Sequence, residues 1–274
     1  MGRQPGGAKL RALREAAHRT QLWVELEAEL GTGYLQRVES GKIAQPGRAT
    51  LERILNALEA RYSEQREVLE LFGYTVTTLP PTEKEITWAC ALCQRELYEV
   101  PFPAYVLDCT HHLVAWNHYV PYLFRVPGEP TLGGLARRSL LAAWFDAASP
   151  LARLVAEPEE LYPALIRALR SEMQQFHTEP WYTSVLAQLQ HLPRFRHYWA
   201  AVAPEPALAS AARALVPVRL VHPGAAVLAF RLSSEHFVRD ARFRLVYYFP
   251  ADPATMQQCA AWAAQASAMR PALV

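Results

Sequence analysis

Two residue pairs consist of types that can bind metals or undergo redox chemistry. They are Cys90-x-x-Cys93 and His111-His112. A structural zinc site needs four ligands, and neither a second cysteine pair nor a close histidine pair accompanies Cys90 and Cys93. A redox pair with this spacing would lie where a strand meets a helix, whereas residues 88–97 have the pattern of a helix interior. The sequence therefore predicts that Cys90 and Cys93 are buried on the inner face of a helix. Adjacent histidines on an extended chain point apart, so we interpret His111-His112 as a surface turn and predict no metal site.

Motifs for catalysis are missing from the sequence. It has no Gly-rich phosphate loop, no H-E-x-x-H and no G-x-S-x-G. Gly133-Gly134 lacks the helix-start pattern that should follow a phosphate loop. We therefore predict no catalytic residues, no metal and no cofactor, and we interpret the protein as not an enzyme. The alternative, an enzyme tethered by a small helical domain, would need a polar cluster with shifted ionisation.

Side chains that can read DNA bases lie between residues 32 and 40. Arg37 can donate two hydrogen bonds to guanine, and Gln36 can pair with adenine. On a helix over these residues, Leu35 and Val38 would face inward. The alternative is that Arg37 only pairs with a nearby glutamate on the surface. The residues left exposed for DNA contact are then Thr32, Gly33, Gln36 and Arg37.

Two short helices joined by a tight turn are predicted for residues 20–42, TQLWVELEAELGTGYLQRVESGK. Thr20 is the predicted N-cap of the first helix, Gly31-Thr32 caps the second after the break, and Gly41 ends it. Such a pair is a helix-turn-helix, whose second helix, here Thr32 to Ser40, lies in the major groove of DNA.

The charge of the first 48 residues is modestly positive. Eight Lys and Arg stand against five Glu, a net of +3, whereas the net charge of the whole chain is +2. Because affinity for DNA scales with the number of phosphates neutralised, so small an excess suits a module that binds as a pair.

Length and composition set the class of protein. The 274 residues predict two domains, and 51% hydrophobic and 20% charged residues are typical of a globular chain. No apolar run reaches the ~18 residues that span a bilayer, and the charged amino terminus is not a secretory signal. Four cysteines are too few and too scattered for a disulfide framework. These observations predict a cytoplasmic protein with no membrane partner.

Local patterns place further helices around the predicted DNA-reading segment. Helices over 8–17, 49–60 and 63–72 would complete an all-α domain over residues 1–75. A linker follows at 75–81, and Thr82 and Glu85 have capping-box spacing at the start of a helix that reaches Tyr98. We assign residues 76–100 to this linker and connecting helix.

Residues 101–274 have a mixed pattern. Strands are predicted over 104–109 and 113–116, and Asn117 is the predicted N-cap of a helix that ends at Phe124. Helical patterns over 135–203 are broken at Pro150, Pro158, Pro180 and Pro193. The last predicted elements are strands over 216–221, 226–232 and 243–249 and a helix over 253–268. This order predicts an α+β domain around an antiparallel sheet.

The first 60 residues resemble the Cro/repressor-type, or XRE-like, helix-turn-helix family. The resemblance rests on Thr20-Gln21, Val24, Tyr34-Leu35, Arg37, Glu39-Ser40-Gly41-Lys42 and Pro46. It implies a lambda-repressor-like DNA-binding domain in which Gln21 contacts phosphate from a helix amino terminus and Ser40 and Lys42 do so at the far end. The predicted DNA-binding residues are Gln21, Thr32, Gly33, Gln36, Arg37, Ser40, Lys42 and Arg48.

Three residues depart from that family's usual pattern. Glu25 stands where the family usually has alanine, and Glu29 stands where it usually has glycine. Gly33 lies early in the predicted recognition helix, where glycine costs up to ~1 kcal/mol relative to alanine.

The rest of the chain resembles the ligand domain of MmyB-like transcription regulators. The matching segments are Tyr105-Val106-Leu107-Asp108, Leu113-Val114-Ala115-Trp116-Asn117, and Arg194-Phe195 with Trp199. The resemblance implies a PAS-like sensor domain, a fatty-acid-like ligand and a homodimer. The predicted fold is thus an all-α helix-turn-helix domain followed by an α+β PAS-like domain over 101–274, with an antiparallel sheet and several helices.

Aromatic residues are concentrated in this second domain. They could form an aromatic-rich core, or they could line a concave apolar pocket. A long-chain fatty acid would need an apolar slot and one cationic or hydrogen-bonding end, for which Arg194 and His118 are the candidates. The predicted ligand-binding residues are Tyr105, Trp116, Asn117, His118, Tyr122, Trp144, Arg194, Phe195 and Trp199.

The sequence therefore predicts a sequence-specific DNA-binding transcription regulator, dimeric, and modulated by an apolar small molecule. The alternative is a lipid-binding or protein-interaction module whose helix-turn-helix no longer binds DNA. Glu25, Glu27 and Glu29 in the first motif helix favour that alternative.

Overall fold

The structure is a computed structural model that describes residues 5–125, 138–203, 216–222 and 227–268. The chain divides into a helical unit, Met1–Thr78 with Phe237–Ala241, and a sheet unit, Leu79–His236 with Arg242–Val274. Three features of the sequence analysis lie outside the described residues. They are the pair Gly133-Gly134, residues 135–137 of the predicted helical stretch, and the predicted strand start at Ala226. Within the described ranges, no helix has the length and apolarity needed to cross a membrane.

Five helices form the described part of the helical unit, as the sequence predicts. Each contributes apolar residues to one core; in the fourth helix these are Leu51, Ile54 and Leu55, all fully buried. They belong to the same core as Leu10 from the first helix. The helices are α1 (Pro5–Ala16), α2 (Gln21–Glu27), α3 (Tyr34–Glu39), α4 (Arg48–Ala57) and α5 (Tyr62–Leu71).

The segment between α2 and α3 differs from the prediction. The predicted recognition helix over Thr32 to Ser40 is shorter, because α3 begins at Tyr34 and ends at Glu39. Its N-cap is Gly33 with φ of +77°, and not Gly31-Thr32. Since this left-handed conformation strains residues that have a Cβ, glycine is favoured at position 33. The penalty expected for Gly33 inside a helix therefore does not apply.

The predicted caps at Thr20 and Gly41 are confirmed. The Thr20 hydroxyl accepts a hydrogen bond from the Trp23 N–H at 3.1 Å, which fixes the start of α2. Gly41 has φ of +77° immediately after the C-cap Ser40, as a glycine that ends a helix should.

Replacing Glu29 by glycine is expected to stabilise the helical unit. Glu29 lies in the turn after α2 with φ of +53°, a conformation that favours glycine. We expect Glu29→Gly to raise the free energy of unfolding by about 0.5–1 kcal/mol, measured by urea denaturation. The control is Glu27→Gly at the last residue of α2, which should lower the free energy of unfolding by up to about 1 kcal/mol. Effects of the same sign for the two substitutions would contradict this explanation.

The described part of the sheet unit contains a five-stranded sheet in which every neighbouring pair is antiparallel. The strand order β2-β1-β5-β4-β3 places the last strand at the centre, so the first hairpin and the late strands share one sheet. The predicted antiparallel sheet is confirmed, although the fourth strand extends four residues beyond the predicted end. The strands are β1 (Ala104–Asp108), β2 (Leu113–Trp116), β3 (Val216–Leu220), β4 (Leu228–His236) and β5 (Phe243–Pro250).

The four prolines predicted to break the helical stretch, Pro150, Pro158, Pro180 and Pro193, begin helices rather than only interrupting them. Proline suits the first helical position because its fixed φ is helical and its missing N–H has no partner there anyway. Two of these elements are α9 (Pro158–Met173) and α11 (Pro193–Ala201). In the part of the sheet unit that the structure describes, the other helices are α6 (Glu83–Glu99), α7 (Val120–Leu123), α8 (Leu140–Phe145), α10 (Pro180–Gln190) and α12 (Pro253–Ala268), with 3-10 helices at Pro150–Leu154 and Gln174–Phe176.

Two local predictions in the sheet unit have different outcomes. The capping box at the start of α6 is confirmed: the Thr82 N–H donates to Glu85 Oε2 at 2.7 Å, and the Glu85 N–H donates to Thr82 Oγ1 at 3.4 Å. The predicted helix from Asn117 to Phe124 is wrong in extent, because α7 has only four residues and Tyr119 is its N-cap. The Asn117 side chain instead binds other backbone groups.

The interpretation of His111-His112 as a surface turn is wrong for His111. The turn after β1 folds inward: His111 is buried with φ of +67°, and its Nδ1 accepts a hydrogen bond from Arg244. Asp108 shapes this turn, since its Oδ1 accepts hydrogen bonds from the N–H groups of Thr110 at 2.8 Å and His112 at 3.0 Å. Among the described residues, no three His, Cys, Asp or Glu side chains are grouped to hold a metal ion.

The buried His111 is expected to make the sheet unit sensitive to acid. Burial, followed by the charge of Arg244 and then His112, holds the pKa of His111 well below its usual 6.5. At a pH below about 6.5 His111 binds a proton in the unfolded chain but stays neutral in the folded chain. The free energy of unfolding therefore falls by up to about 1.4 kcal/mol per pH unit as the pH decreases.

The test is urea denaturation between about pH 7.5 and pH 5. His111→Asn, which tolerates a positive φ, should be less stable at neutral pH because the Arg244 bond is lost, but it should lose less stability on acidification. His112→Asn is the control and should keep the slope of the wild type. An unchanged slope in His111→Asn would contradict the prediction.

Candidate functional site

The exposed face of α3 carries Gln36 and Arg37, as predicted. Leu35 and Val38 are fully buried, as predicted, and they fix the rotation of α3 within the helical unit. The Arg37 guanidinium lies 5.9 Å from the ring centre of Tyr34. The Gln36 amide and the Arg37 guanidinium are thus both exposed, on consecutive residues of α3. Of the other predicted DNA-binding positions, Gly33 is half-buried, whereas the exposed ones are Thr32, Ser40, Lys42 and Arg48.

A buried carboxylate that the sequence analysis did not identify as functional holds the amino end of α3. Glu25 in α2 is 3% exposed, and its two oxygens accept hydrogen bonds from the N–H groups of Gly33 at 2.9 Å and Leu35 at 2.8 Å. The first N–H groups of a helix have no partner within it, and negative charge is favourable there. Glu25 thus supplies the cap that Gly33 lacks and fixes α3 to α2. The available signal in the sequence was that a glutamate stands at position 25, where the helix-turn-helix resemblance leads one to expect alanine.

The predicted phosphate-binding residue Gln21 is held by an ion pair. Its Nε2 donates to Glu39 Oε2 at 2.7 Å. The buried Glu39 also accepts from Arg14, from Nε at 2.7 Å and from Nη2 at 3.0 Å, and this hydrogen bonding raises the pKa of Arg14. An amide nitrogen has two N–H groups, so Gln21 keeps a second donor for phosphate.

Two further predicted DNA-binding residues have intramolecular partners. Ser40 Oγ donates to the Arg37 carbonyl at 3.3 Å. Arg48 forms an exposed ion pair with Glu52 at 2.8 Å, one helical turn away. Because such a pair contributes only a few tenths of a kcal/mol, Arg48 can exchange Glu52 for a phosphate at little cost.

The sheet unit has an open groove of about 1120 Å³. It lies between α6, the end of β2 with the residues that follow, and α12. Its walls combine aromatic side chains with a few hydrogen-bonding groups, a combination typical of small-molecule sites. Four of the nine predicted ligand residues line it, Trp116, Asn117, His118 and Tyr122. The residues missed are mainly on α6, including Cys90, Gln94 and Tyr98.

Asn117 contributes to the groove mainly by fixing its wall. Its Oδ1 accepts hydrogen bonds from the N–H groups of Ala104 at 3.2 Å and Tyr119 at 3.3 Å, and its Nδ2 donates to the Phe102 carbonyl at 2.7 Å. The side chain therefore joins the start of β1 to the segment after β2. These contacts occupy three of the four hydrogen-bonding positions of the amide, so the side chain is held rigidly in place.

Tyr105 and Trp144 lie in an aromatic cluster rather than along the groove. Phe124 joins them, with ring centres 6.0 Å from Tyr105 and 5.8 Å from Trp144. The Tyr105 and Tyr248 hydroxyls are 3.2 Å apart, and burial raises the pKa of Tyr248 well above its usual value. For these two predicted ligand residues, the geometry favours the aromatic-core interpretation.

The three predicted ligand residues of α11 lie in a helical layer. Arg194, one of the two candidates for the polar end of a ligand, donates to the Tyr162 hydroxyl at 2.9 Å, and its guanidinium lies 5.1 Å from that ring. Phe195 is fully buried and stacks on Trp199, with ring centres 5.4 Å apart. Of the two candidates, only His118 lines the groove, where its ring lies 4.0 Å from that of Tyr119.

The cysteine pair on α6 is only partly as predicted. Cys93 is buried, but Cys90 is half-buried and lines the groove. Burial raises the pKa of both thiols, that of Cys93 to about 11. Since the thiolate is the reactive form, these thiols are poor nucleophiles.

Comparison with known proteins gives one family. Residues 93–261 match the family described as the MmyB-like transcription regulator ligand binding domain. The match covers more than half of the chain, including all five strands and much of the groove, and it begins after the helical unit's first 78 residues. No curated protein matches the chain.

Proposed function

The chain belongs to the transcription regulators with an MmyB-like ligand-binding domain, and from this premise we propose that it binds DNA sequence-specifically through α3. We propose that it acts as a homodimer in the cytoplasm and that an apolar, fatty-acid-like ligand modulates it. Because the family consists of transcription regulators, we propose regulation and not catalysis, and the proposal includes no resident cofactor.

The exposed pair Gln36 and Arg37 on a fixed helix carries the proposal of DNA binding. In a helix-turn-helix formed by α2 and α3, these side chains would face base edges in the major groove. Gln21, Ser40, Lys42 and Arg48 would contact phosphates and set the register. Thr32 and Gly33 would lie where α3 approaches the DNA most closely.

The groove supports the proposal of a ligand. Trp116 and Tyr122 would contact an apolar chain, and His118 would bind its polar end through a ring nitrogen. Tyr105, Trp144, Arg194, Phe195 and Trp199 would act indirectly, by keeping the domain behind the groove rigid. A PAS-like fold of the sheet unit is consistent with its antiparallel sheet.

The alternative, an interaction module without DNA affinity, loses one of its arguments. It relied on acidic side chains in the first motif helix, but Glu25 is buried and neutralises helix amide dipoles instead of repelling phosphate. Glu27 and Glu29 remain exposed.

The test is fluorescence anisotropy with DNA fragments from upstream of the protein's own coding sequence. We expect binding that is at least about tenfold tighter than to scrambled DNA and that weakens steeply between about 50 and 200 mM salt. Native mass spectrometry of the purified protein would identify a bound lipid. Bound lipid without any salt-sensitive DNA binding would contradict the proposal and favour the interaction module.

A further inference from the structure

The sides of helix α6 differ in their surroundings. One stripe, Ala89, Cys93 and Leu97, is buried within the sheet unit, and the neighbouring residues line the groove. On another side, Leu92 is 58% exposed, and Trp88 is still 38% exposed although its ring packs edge-on against Phe243, with ring centres 6.2 Å apart. Side chains one turn apart on a helix are neighbours, so the two together form one apolar patch that suits burial against a protein partner.

Charged residues flank these two side chains in a definite order. Lys84 lies one turn before Trp88, and Arg95 and Glu99 follow Leu92 on the same side of the helix. Arg95 and Glu99 form an exposed ion pair at 2.8 Å, which contributes little by itself. The stripe therefore starts with a positive charge and ends with a negative one.

This order is self-complementary when two copies of α6 run antiparallel. If the crossing point lies between residues 91 and 92, Lys84 faces the partner's Glu99, and Trp88 faces the partner's Arg95. The first contact is an ion pair and the second a cation–π contact, and two-fold symmetry makes each of them twice. A parallel pairing would instead place Lys84 against Lys84 and Arg95 against Arg95.

We propose that α6 is the surface through which two copies of this chain associate, as an antiparallel pair with Leu92 next to the two-fold axis. The inference rests on the proposed function, since it names the interface of the proposed dimer. A helix of 17 residues is about 25 Å long, so this contact alone is small. The dimer should therefore dissociate on dilution.

Sedimentation equilibrium of the full chain without DNA tests the surface. Wild type should be a reversible dimer, and Leu92→Glu should weaken association at least about tenfold, because it buries a charge at the axis. The control is Met256→Glu on α12, an equally exposed apolar residue at 62%, which should leave association unchanged. Circular dichroism establishes that each variant is folded.

Charge reversal tests the antiparallel direction. Lys84→Glu and Glu99→Lys should each weaken association about three- to tenfold, and the double variant should regain most of it, because the two charges are exchanged across the interface. A monomeric wild type, a dimeric Leu92→Glu variant or a double variant no better than the single ones would overturn the proposal. DNA binding of the same variants keeps this separate from the proposed function: a wild type that binds DNA but dimerises elsewhere refutes only the role of α6.

Discussion

Replacing Glu25 by alanine is expected to lower the free energy of unfolding of the helical unit by about 3 kcal/mol. The substitution removes two charge-assisted hydrogen bonds and leaves the Leu35 N–H buried without a partner. It also removes the negative charge from the amino end of α3. Urea denaturation gives the loss of stability, and amide hydrogen exchange of Leu35 reports on the cap itself.

Two variants separate the cap from a general effect of charge. Glu27→Ala changes an exposed glutamate of the same helix and should alter stability by less than about 0.5 kcal/mol. Glu25→Gln keeps one acceptor oxygen and should fall between the wild type and Glu25→Ala. If Glu25→Ala and Glu27→Ala behaved alike, Glu25 would have no capping role.

Replacing Arg37 by alanine is expected to weaken specific DNA binding about 10- to 100-fold, which corresponds to 1–3 kcal/mol for one bidentate contact. Arg37 is exposed on α3, so the stability of the fold should not change. Arg37→Lys should recover only part of the affinity, because an ammonium lacks the planar pair of donors. Anisotropy titrations with the bound upstream fragment and with scrambled DNA measure the effect.

The comparison between the two DNA sequences identifies the role of Arg37. Arg48→Ala, which removes a predicted phosphate contact, should weaken binding to both sequences by a similar and smaller factor. An equal loss of both sequences in Arg37→Ala would mean that Arg37 contacts phosphate and not a base. No loss at all would mean that this face of α3 does not contact DNA.

Elements with local signals could be predicted from the sequence. The Thr20 cap, the Thr82 capping box and the helix over 253–268 are as predicted, because each depends on residues within a few positions of one another. The antiparallel sheet could be predicted from the order of its strands. The burial of Leu35 and Val38 followed in the same way from helical spacing.

Contacts between distant residues could not be predicted in this way. The Glu25 cap joins residues ten positions apart, and the contact of His111 with Arg244 joins residues 133 positions apart. A local sequence pattern therefore predicts neither contact. The nine predicted ligand residues were grouped by residue type and proximity in sequence. The fold separates them into the groove, the aromatic cluster and the α11 layer, because the three groups lie on different elements whose packing no local pattern specifies.

The helical unit is not a continuous stretch of chain, because it includes Phe237–Ala241. Within it, the Val238 carbonyl accepts a hydrogen bond from the Tyr62 N–H at 3.3 Å, and Arg239 pairs with Glu59 at 2.8 Å. On the ribosome, residues 1–78 emerge long before these five residues are synthesised. The helical unit therefore lacks its last segment until the four strands β1 to β4 have been translated, and a fragment truncated at residue 78 would never receive it.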